Sequence, residues 1–128
     1  MDTNELTNIF GDVIYSYTRE DAINDGVLVD LTRLYPSDTR LFKHPVACTS
    51  AVWERINLAC IDTGEDVGVY IWDMCFMAVK FPVRLIDDST ILFRLGIPIG
   101  SREIELKIVC HPGDDGEPVL TIMFPYED

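Results

Sequence analysis

The chain has 128 residues, 48% of them hydrophobic, with 22 Asp and Glu against 10 Lys and Arg and a formal net charge of −12. This length and composition predict one acidic domain over residues 1–128, with residues 1–7 frayed. The charge argues against direct binding of nucleic acid, which needs a basic patch, and no apolar run is long enough for a membrane span. Because the first residues are polar and acidic rather than those of a secretion signal, we expect a cytoplasmic protein.

The N-terminal third is predicted to hold short strands around one short helix. Thr18 can cap that helix, with Asp21 in the position of a capping-box acid, and Gly26 ends it in a left-handed conformation. The predicted order is a strand within residues 10–17, a helix at 19–25, a strand at 27–31 and an irregular stretch at 32–45.

Two longer helices are predicted next. Thr49 can cap a helix from residue 50 to about residue 60, with Val52, Ile56 and Ala59 along one stripe. A second, mostly buried helix is predicted over 67–79 because apolar residues recur there at spacings of three and four. Its buried face is predicted to consist of Val67, Tyr70, Ile71, Met74, Cys75 and Ala78.

From residue 81 onward, alternating apolar and polar residues predict strands at 81–85, 90–99, 103–110 and 119–124. Gly96 and Pro98 indicate an edge or a bulge in the second of these. In the third, Cys110 is predicted to face the core with Ile104, Leu106 and Ile108. We therefore expect an α+β class, with N-terminal short strands and three helices packed on a C-terminal antiparallel sheet.

Cysteine and histidine usage gives no catalytic or metal signature. Cys48, Cys60, Cys75 and Cys110 are interpreted as buried free thiols of a reducing cytoplasm. Cys110 and His111 are adjacent, and neighbours on a strand point to opposite faces, so we expect no metal site. His44 and His111 each precede a proline and are interpreted as structural or solvated. Since the usual cofactor motifs are absent, we also expect no cofactor.

A candidate ligand site is predicted near the N-terminus. Tyr15 and Tyr17 share one face of the predicted strand, Arg19 lies just inside the helix, and Asp30 ends the next strand. Two aromatic rings beside an arginine can form a ligand shelf. The alternative is that one tyrosine packs in the core while Arg19 pairs with a nearby carboxylate.

A second candidate surface is acidic. Many carboxylates are grouped in three loops, and a cationic protein surface is the partner that such a field attracts. The alternative is that the charge only keeps the protein soluble. The residues of this candidate partner-binding surface are Asp62, Glu65, Asp66, Asp87, Asp88, Asp114, Asp115 and Glu117.

Several sequence blocks resemble a family of small uncharacterised bacterial proteins. The blocks are Phe-Gly-Asp-Val-Ile at 10–14, Tyr-Thr-Arg at 17–19, Asp-Gly-Val-Leu-Val-Asp at 25–30 and Gly-Asp-Asp-Gly-Glu-Pro-Val at 113–119. Members are typically carried on plasmids, integrative elements and phages, often close to anti-restriction genes. The resemblance implies no established activity, so it brings no functional residues.

A weaker similarity links the N-terminal elements to ADP-ribosyltransferase-like domains. Tyr-Ser-Tyr-Thr at 15–18, a short helix and then Gly-Val-Leu at 26–28 are similar to the first elements of those enzymes. The enzymes commonly carry a histidine in that strand, whereas this chain has Ser16. The similarity therefore implies a degenerate domain whose activity is lost.

These observations predict a non-enzymatic, acidic protein-interaction module of a mobile element, an inhibitor that binds a cationic surface of a host defence or nucleic-acid-binding complex. The alternative function is a small-ligand-binding or degenerate ADP-ribosyltransferase-like domain that uses the region of Tyr15, Tyr17 and Arg19 together with Asp30. A third interpretation is a structural homodimer.

Overall fold

A computed structural model describes residues 17–97 and 102–128. Helices and strands are both present, which confirms the α+β class. The predicted frayed segment 1–7 and residues 10–16 of the predicted first strand lie outside the described residues. The described elements are α1 (Arg19–Asn24), β1 (Leu28–Asp30), α2 (Leu31–Leu34), β2 (Val46–Thr49), α3 (Ser50–Thr63), α4 (Val67–Lys80), β3 (Arg84–Asp87), β4 (Thr90–Ile97), β5 (Arg102–Pro112) and β6 (Pro118–Met123).

The six described strands form one mixed sheet in the order β1-β2-β6-β5-β4-β3. Within it, β3 to β6 form the antiparallel meander that the alternating pattern predicts. The short N-terminal strands, predicted to pack on this sheet, instead join it: β2 runs parallel to β6, with Val46 opposite Leu120 and Cys48 opposite Ile122. The strand β2 itself was not predicted, since its four residues are buried or half-buried and show no alternation.

Helices α3 and α4 cover one face of the sheet and confirm both long helix predictions. The Thr49 hydroxyl accepts a bond from the Val52 N–H at 3.4 Å at the start of α3, and Gly64 ends the helix with a φ of 76°. The predicted stripe of α3 is buried, as is the predicted face of α4 apart from the half-buried Val67. These side chains pack against strand residues such as Phe93, Leu106 and Ile122 to form the core.

Three local predictions need correction. Residues 31–34 form α2 instead of continuing the strand, because the Asp30 carboxylate accepts a bond from the Arg33 N–H at 3.1 Å and caps a helical turn. The first strand of the meander begins at Arg84, not at residue 81. The register shift lies in β3, between Leu85 and Asp87, whereas Gly96 pairs regularly with Glu103.

Cys110 is the fourth correction. It shares a sheet face with Leu106 and Ile108, as predicted, but it is exposed rather than buried. It lies near the end of β5 and lines an open cleft whose other wall includes Ala78 and Val79 of α4. Among the described residues, no helix has the length and apolar character needed to cross a membrane.

Candidate functional site

Helix α1 is tied at its first turn to the loop between β5 and β6. The Thr18 hydroxyl accepts a bond from the Asp21 N–H at 3.0 Å, and the Asp21 carboxylate accepts one from the Thr18 N–H at 3.2 Å, which confirms the predicted capping box. The Asp114 carboxylate accepts bonds from the N–H groups of Arg19 at 2.7 Å and Glu20 at 3.1 Å. The free N–H groups of this helix end are therefore occupied by the protein's own side chains.

The side chain of Arg19 connects α1 to β6. Its guanidinium donates to the Thr121 hydroxyl and to the Leu120 carbonyl oxygen, both at 2.9 Å. Burial lowers the pKa of Arg19 below its ordinary value, although the carboxylates of Asp30, Asp114 and Glu117 act in the opposite direction. The predicted alternative, an ion pair of Arg19 with a carboxylate, is not found among the described residues. Arg19 instead fixes the helix to the sheet through neutral acceptors.

His111 joins the same hydrogen-bond network. Its Nε2 lies 2.8 Å from the Thr121 hydroxyl oxygen, and its Nδ1 lies 3.2 Å from the Pro112 carbonyl oxygen. Because Arg19 can only donate, Thr121 accepts from Arg19 and has its own hydroxyl proton free for His111. The Pro112 carbonyl oxygen can only accept, so a hydrogen bond between it and Nδ1 requires a proton on Nδ1.

A cleft of about 520 Å³ lies beside His111 and Thr121. One wall is formed by residues that follow β6, and these are held in place by Glu127. The Glu127 carboxylate accepts bonds from the Thr49 hydroxyl and the Phe124 N–H, each at 2.8 Å. The cleft thus combines one imidazole with several hydroxyl groups and apolar walls, which is the usual make-up of a small-molecule site. Its lining residues are Val27, Leu28, Thr49, Ser50, His111, Thr121, Met123, Tyr126, Glu127 and Asp128.

A smaller cleft of about 290 Å³ contains two of the four predicted ligand residues, Arg19 and Asp30. Tyr17 does not line it. Its hydroxyl donates to the Asp25 carboxylate at 2.8 Å, a bond that raises the pKa of the tyrosine, and its ring is 59% exposed rather than packed in the core. Tyr15 lies outside the described residues. Of the four predicted ligand residues, the structure therefore brings Arg19 and Asp30 together in one cleft.

Two of the three acidic loops lie at the same end of the sheet. The β3–β4 turn carries Asp87 and Asp88, and the Ser89 carbonyl oxygen in that turn accepts a bond from the Cys110 N–H at 2.8 Å. Cys110 lies two residues before Pro112, which pairs with Pro118 where the β5–β6 turn begins. We call these two turns together the acidic end. The third group, Asp62, Glu65 and Asp66, lies at the connection between α3 and α4.

Some carboxylates of the acidic end hold the turns in place. The Glu117 carboxylate accepts a bond from the Asp115 N–H at 3.0 Å. The Asp87 carboxylate accepts bonds from the N–H and hydroxyl of Ser89 at 2.8 and 3.1 Å, which lowers the pKa of Asp87. Together with the Asp114 cap, these bonds fix the backbone that presents the exposed side chains of Asp88 and Asp115.

Among the described residues, no carboxylate of the acidic end forms an ion pair. Over residues 17–97 and 102–128, the one ion pair joins Arg94 to Glu105 at 3.4 Å between half-exposed side chains. The same residues contain no cluster of three His, Cys, Asp or Glu side chains that could hold a metal ion. The carboxylates of Asp114 and Glu117 interact electrostatically with Arg19. Asp88 and Asp115 are exposed and form no ion pair among the described residues, so they contribute most directly to the negative field of the acidic end.

The cysteines divide into two kinds. Cys48 and Cys75 are buried, and burial raises the pKa of each thiol to about 12. Cys60 is half-buried with a raised pKa, mainly through burial, and Cys110 is exposed. The prediction of four free thiols is confirmed, whereas the prediction that all are buried is wrong for the exposed Cys110 and is met only in part by the half-buried Cys60.

The comparisons with known proteins give one match. A family model described as a family of unknown function, DUF6573, matches residues 6–128. No curated protein and no solved structure matches the chain.

Proposed function

We propose that this chain, which belongs to the DUF6573 family, is a non-enzymatic interaction module whose acidic end binds a cationic protein surface. The observation that carries the proposal is the convergence of two acidic turns at one end of the sheet. The excess of 22 acidic over 10 basic residues attracts such a partner over a distance of about a Debye length, roughly 10 Å at 0.1 M salt.

Preorganisation of the acidic end supports binding rather than solubility alone. The bonds that Asp87, Asp114 and Glu117 make to backbone N–H groups hold both turns before a partner arrives. A surface that is already ordered loses less conformational entropy on association. Asp88 and Asp115 are exposed, and they supply the charge that faces the partner.

The experiment compares two doubly neutralised variants that have the same net charge. Asp88→Asn with Asp115→Asn removes two carboxylates from the acidic end, and Asp62→Asn with Glu65→Gln removes two from the α3–α4 region. Binding of a labelled oligolysine peptide, followed by fluorescence anisotropy, should weaken about tenfold in the first variant, because exposed ion pairs contribute about 0.2–1 kcal/mol each. The second variant should bind nearly as tightly as the unchanged protein. Equal weakening in both would show that only total charge matters and would overturn the proposal.

The partner class that we propose is a cationic, nucleic-acid-binding site of a host defence complex. Fixed carboxylates can take the place of phosphates on such a site, and the resemblance to proteins of mobile elements supplies the biological setting. A pull-down from bacterial lysate at low salt should recover basic, nucleic-acid-binding proteins that are lost at high salt. Recovery of acidic or neutral proteins that survive high salt would contradict this assignment.

A second candidate function is binding of a small ligand in the cleft beside His111. It is favoured by the fixed Arg19–Thr121–His111 network at the wall of a 520 Å³ cleft. A thermal-shift screen with nucleotides, including NAD, tests it, since a ligand at 100 times its dissociation constant stabilises the fold by about 2.7 kcal/mol. A hit should be abolished by Ser50→Tyr, which places a ring in the cleft. A flat screen would reject this candidate and leave the acidic-end proposal untouched.

A further inference from the structure

We propose that two copies of this chain form a two-fold dimer through a self-complementary surface at β3. This surface, here called the β3 patch, covers the end of α4, the segment after it and the strand β3. Its apolar members are Val79, Phe81, Val83, Leu85 and Ile86.

The β3 patch is apolar and open to solvent. Its five apolar side chains are between 40% and 64% exposed, and all four residues of β3 are exposed on both sides of the strand. In the described sheet, β3 has a neighbouring strand on one side only. An edge strand leaves alternate N–H and C=O groups without a strand partner, and proteins usually protect such an edge with charges, proline, a bulge or a short strand. The strand β3 is short, has a register shift, and carries Arg84 and Asp87 at its ends. Here the middle of the edge is Leu85 and Ile86.

The charges around the patch fit a second copy of the same surface. Residues 79–88 contain Lys80, Arg84, Asp87 and Asp88, so the stretch is neutral while the chain carries −12. It is therefore a place where two copies can approach without the repulsion that acts elsewhere. A two-fold interface requires a surface that complements itself, and this stretch has a cation at one end and acids at the other.

Antiparallel pairing of β3 with its copy brings each Arg84 to the acidic end of the opposite strand. Arg84 pairs with Leu92 and Asp87 with Thr90 on β4, and the register shift between them puts both charges on the same sheet face. Arg84 of one copy can then reach Asp87 of the other, with Leu85 and Ile86 of both copies at the centre. An adjoining apolar cleft of about 390 Å³, lined in part by Val79 and Leu85, offers the second copy a recess beside the strand.

The apolar ridge continues along α4, which enlarges the surface available to the second copy. The rings of Trp72 and Phe76 stack with centroids 6.3 Å apart, and Phe76 lies 5.8 Å from Phe81. A four-residue strand alone buries too little area for a specific dimer, which typically needs about 800 Å² per partner. In the proposed dimer, the exposed Phe81 and the accessible parts of Trp72 and Phe76 would extend the contact beyond the strand, next to Arg40, which lies 4.7 Å from the Trp72 ring.

The experiment is sedimentation equilibrium of the full chain over the micromolar range, at about 0.05 M and about 0.5 M NaCl. We expect a dimer of twice the chain mass. Its dissociation constant should be lower at the higher salt, because screening reduces the repulsion between two chains that each carry a net charge of −12. Binding of a cationic partner should respond to salt in the opposite direction, so failure of one proposal is distinguishable from failure of the other. A monomer at every concentration in both salts would overturn the dimer.

Variants locate the interface. Ile86→Lys should shift the chain to monomer, whereas Ile61→Lys, at a site that is 78% exposed on α3, should leave the dimer intact. Arg84→Glu should weaken the dimer roughly tenfold through like-charge contacts with Asp87. Circular dichroism and thermal unfolding would verify that each variant is folded. Equal dimer affinity of the Ile86→Lys and Ile61→Lys variants would exclude the β3 patch as the interface.

Discussion

At the scale of single residues, Asp114 shows how a surface acid can be part of the fold. It lies in a turn that also carries Asp115 and Glu117. The sequence alone does not show which of these three acids has a structural role. In the structure its two carboxylate oxygens accept the Arg19 and Glu20 N–H groups from a helix 95 and 94 residues earlier. Two neighbouring aspartates of one turn therefore have different roles: Asp114 holds α1 in place, and Asp115 faces solvent.

Replacing Asp114 by Ala should lower the free energy of unfolding by about 1–2 kcal/mol, because a helix cap and its charge-assisted bonds are lost. Urea denaturation followed by circular dichroism measures the change. Asp115→Ala is the matched control, and it should cost less than about 0.5 kcal/mol since its carboxylate is exposed. Equal losses in the two variants would show that Asp114 does not act as a cap.

The buried thiols predict an alkaline limit to stability. Burial raises the folded-state pKa of Cys48 and Cys75 from an ordinary 9.0 to about 12. Above pH 9 the unfolded chain loses these protons while the folded chain keeps them, so the free energy of unfolding falls between pH 9 and pH 12. The slope approaches about 1.4 kcal/mol per pH unit for each thiol.

This limit is measured by urea unfolding at a series of pH values. The variant Cys48→Ala with Cys75→Ala creates small cavities whose cost does not depend on pH, and it should show a shallower decline above pH 9. Parallel curves for the two proteins would rule out the thiols as the cause.

At the scale of elements, the β5–β6 turn depends on a glycine for space. A Cβ on Gly113 would approach the Glu117 carboxylate and lie 2.9 Å from a Val119 methyl carbon, whereas a Cβ on Gly96 would meet nothing within 4 Å. Gly113→Ala should therefore lower the free energy of unfolding by about 1–3 kcal/mol through overpacking. Gly96→Ala should be neutral or slightly stabilising. Thermal unfolding of the pair decides the matter, and similar midpoints would contradict the steric argument.

The sequence predicted those helices and strands in which the spacing of apolar residues matches the pattern of buried positions. Helix α4 shows this, since Tyr70, Ile71 and Met74 recur at helical spacing and are all buried. The strand β2 shows the opposite, since its Val-Ala-Cys-Thr run is too short to have a period. Its parallel pairing with β6 joins residues more than 70 positions apart, as for Val46 and Leu120, and local pattern carries no information on such pairing.

The candidate site was also predicted only in part from the sequence. Arg19 and Asp30 were expected to share a site, and they line one cleft. The sequence predicts a structural or solvated His111, but it does not predict that this residue joins the hydrogen-bond network of Arg19. The signal that was missed is strand alternation: His111 and Thr121 lie on the same sheet face, as the pairing of their neighbours places them.

At the scale of the whole molecule, excess negative charge should make stability depend on salt. The described residues contain one ion pair, so most of their carboxylates are not paired with a cation and repel one another through solvent. Raising NaCl from about 0.02 M to about 0.5 M should raise the free energy of unfolding by about 1 kcal/mol, because screening weakens this repulsion. The Ile86→Lys variant is the appropriate protein, since it separates screening within the chain from dimer formation. An unchanged unfolding midpoint would indicate that the carboxylates are too far apart to repel.

The position of β6 has a consequence for synthesis of the protein. This strand lies between β2 and β5 and is the bridge that joins β1-β2 to β5-β4-β3. Until residue 123 has left the ribosome, the nascent chain can form the β1–β2 pair on one side and a three-stranded meander on the other, but not a continuous sheet. The core between them stays open until β6 docks, so folding intermediates that lack β6 expose apolar surface.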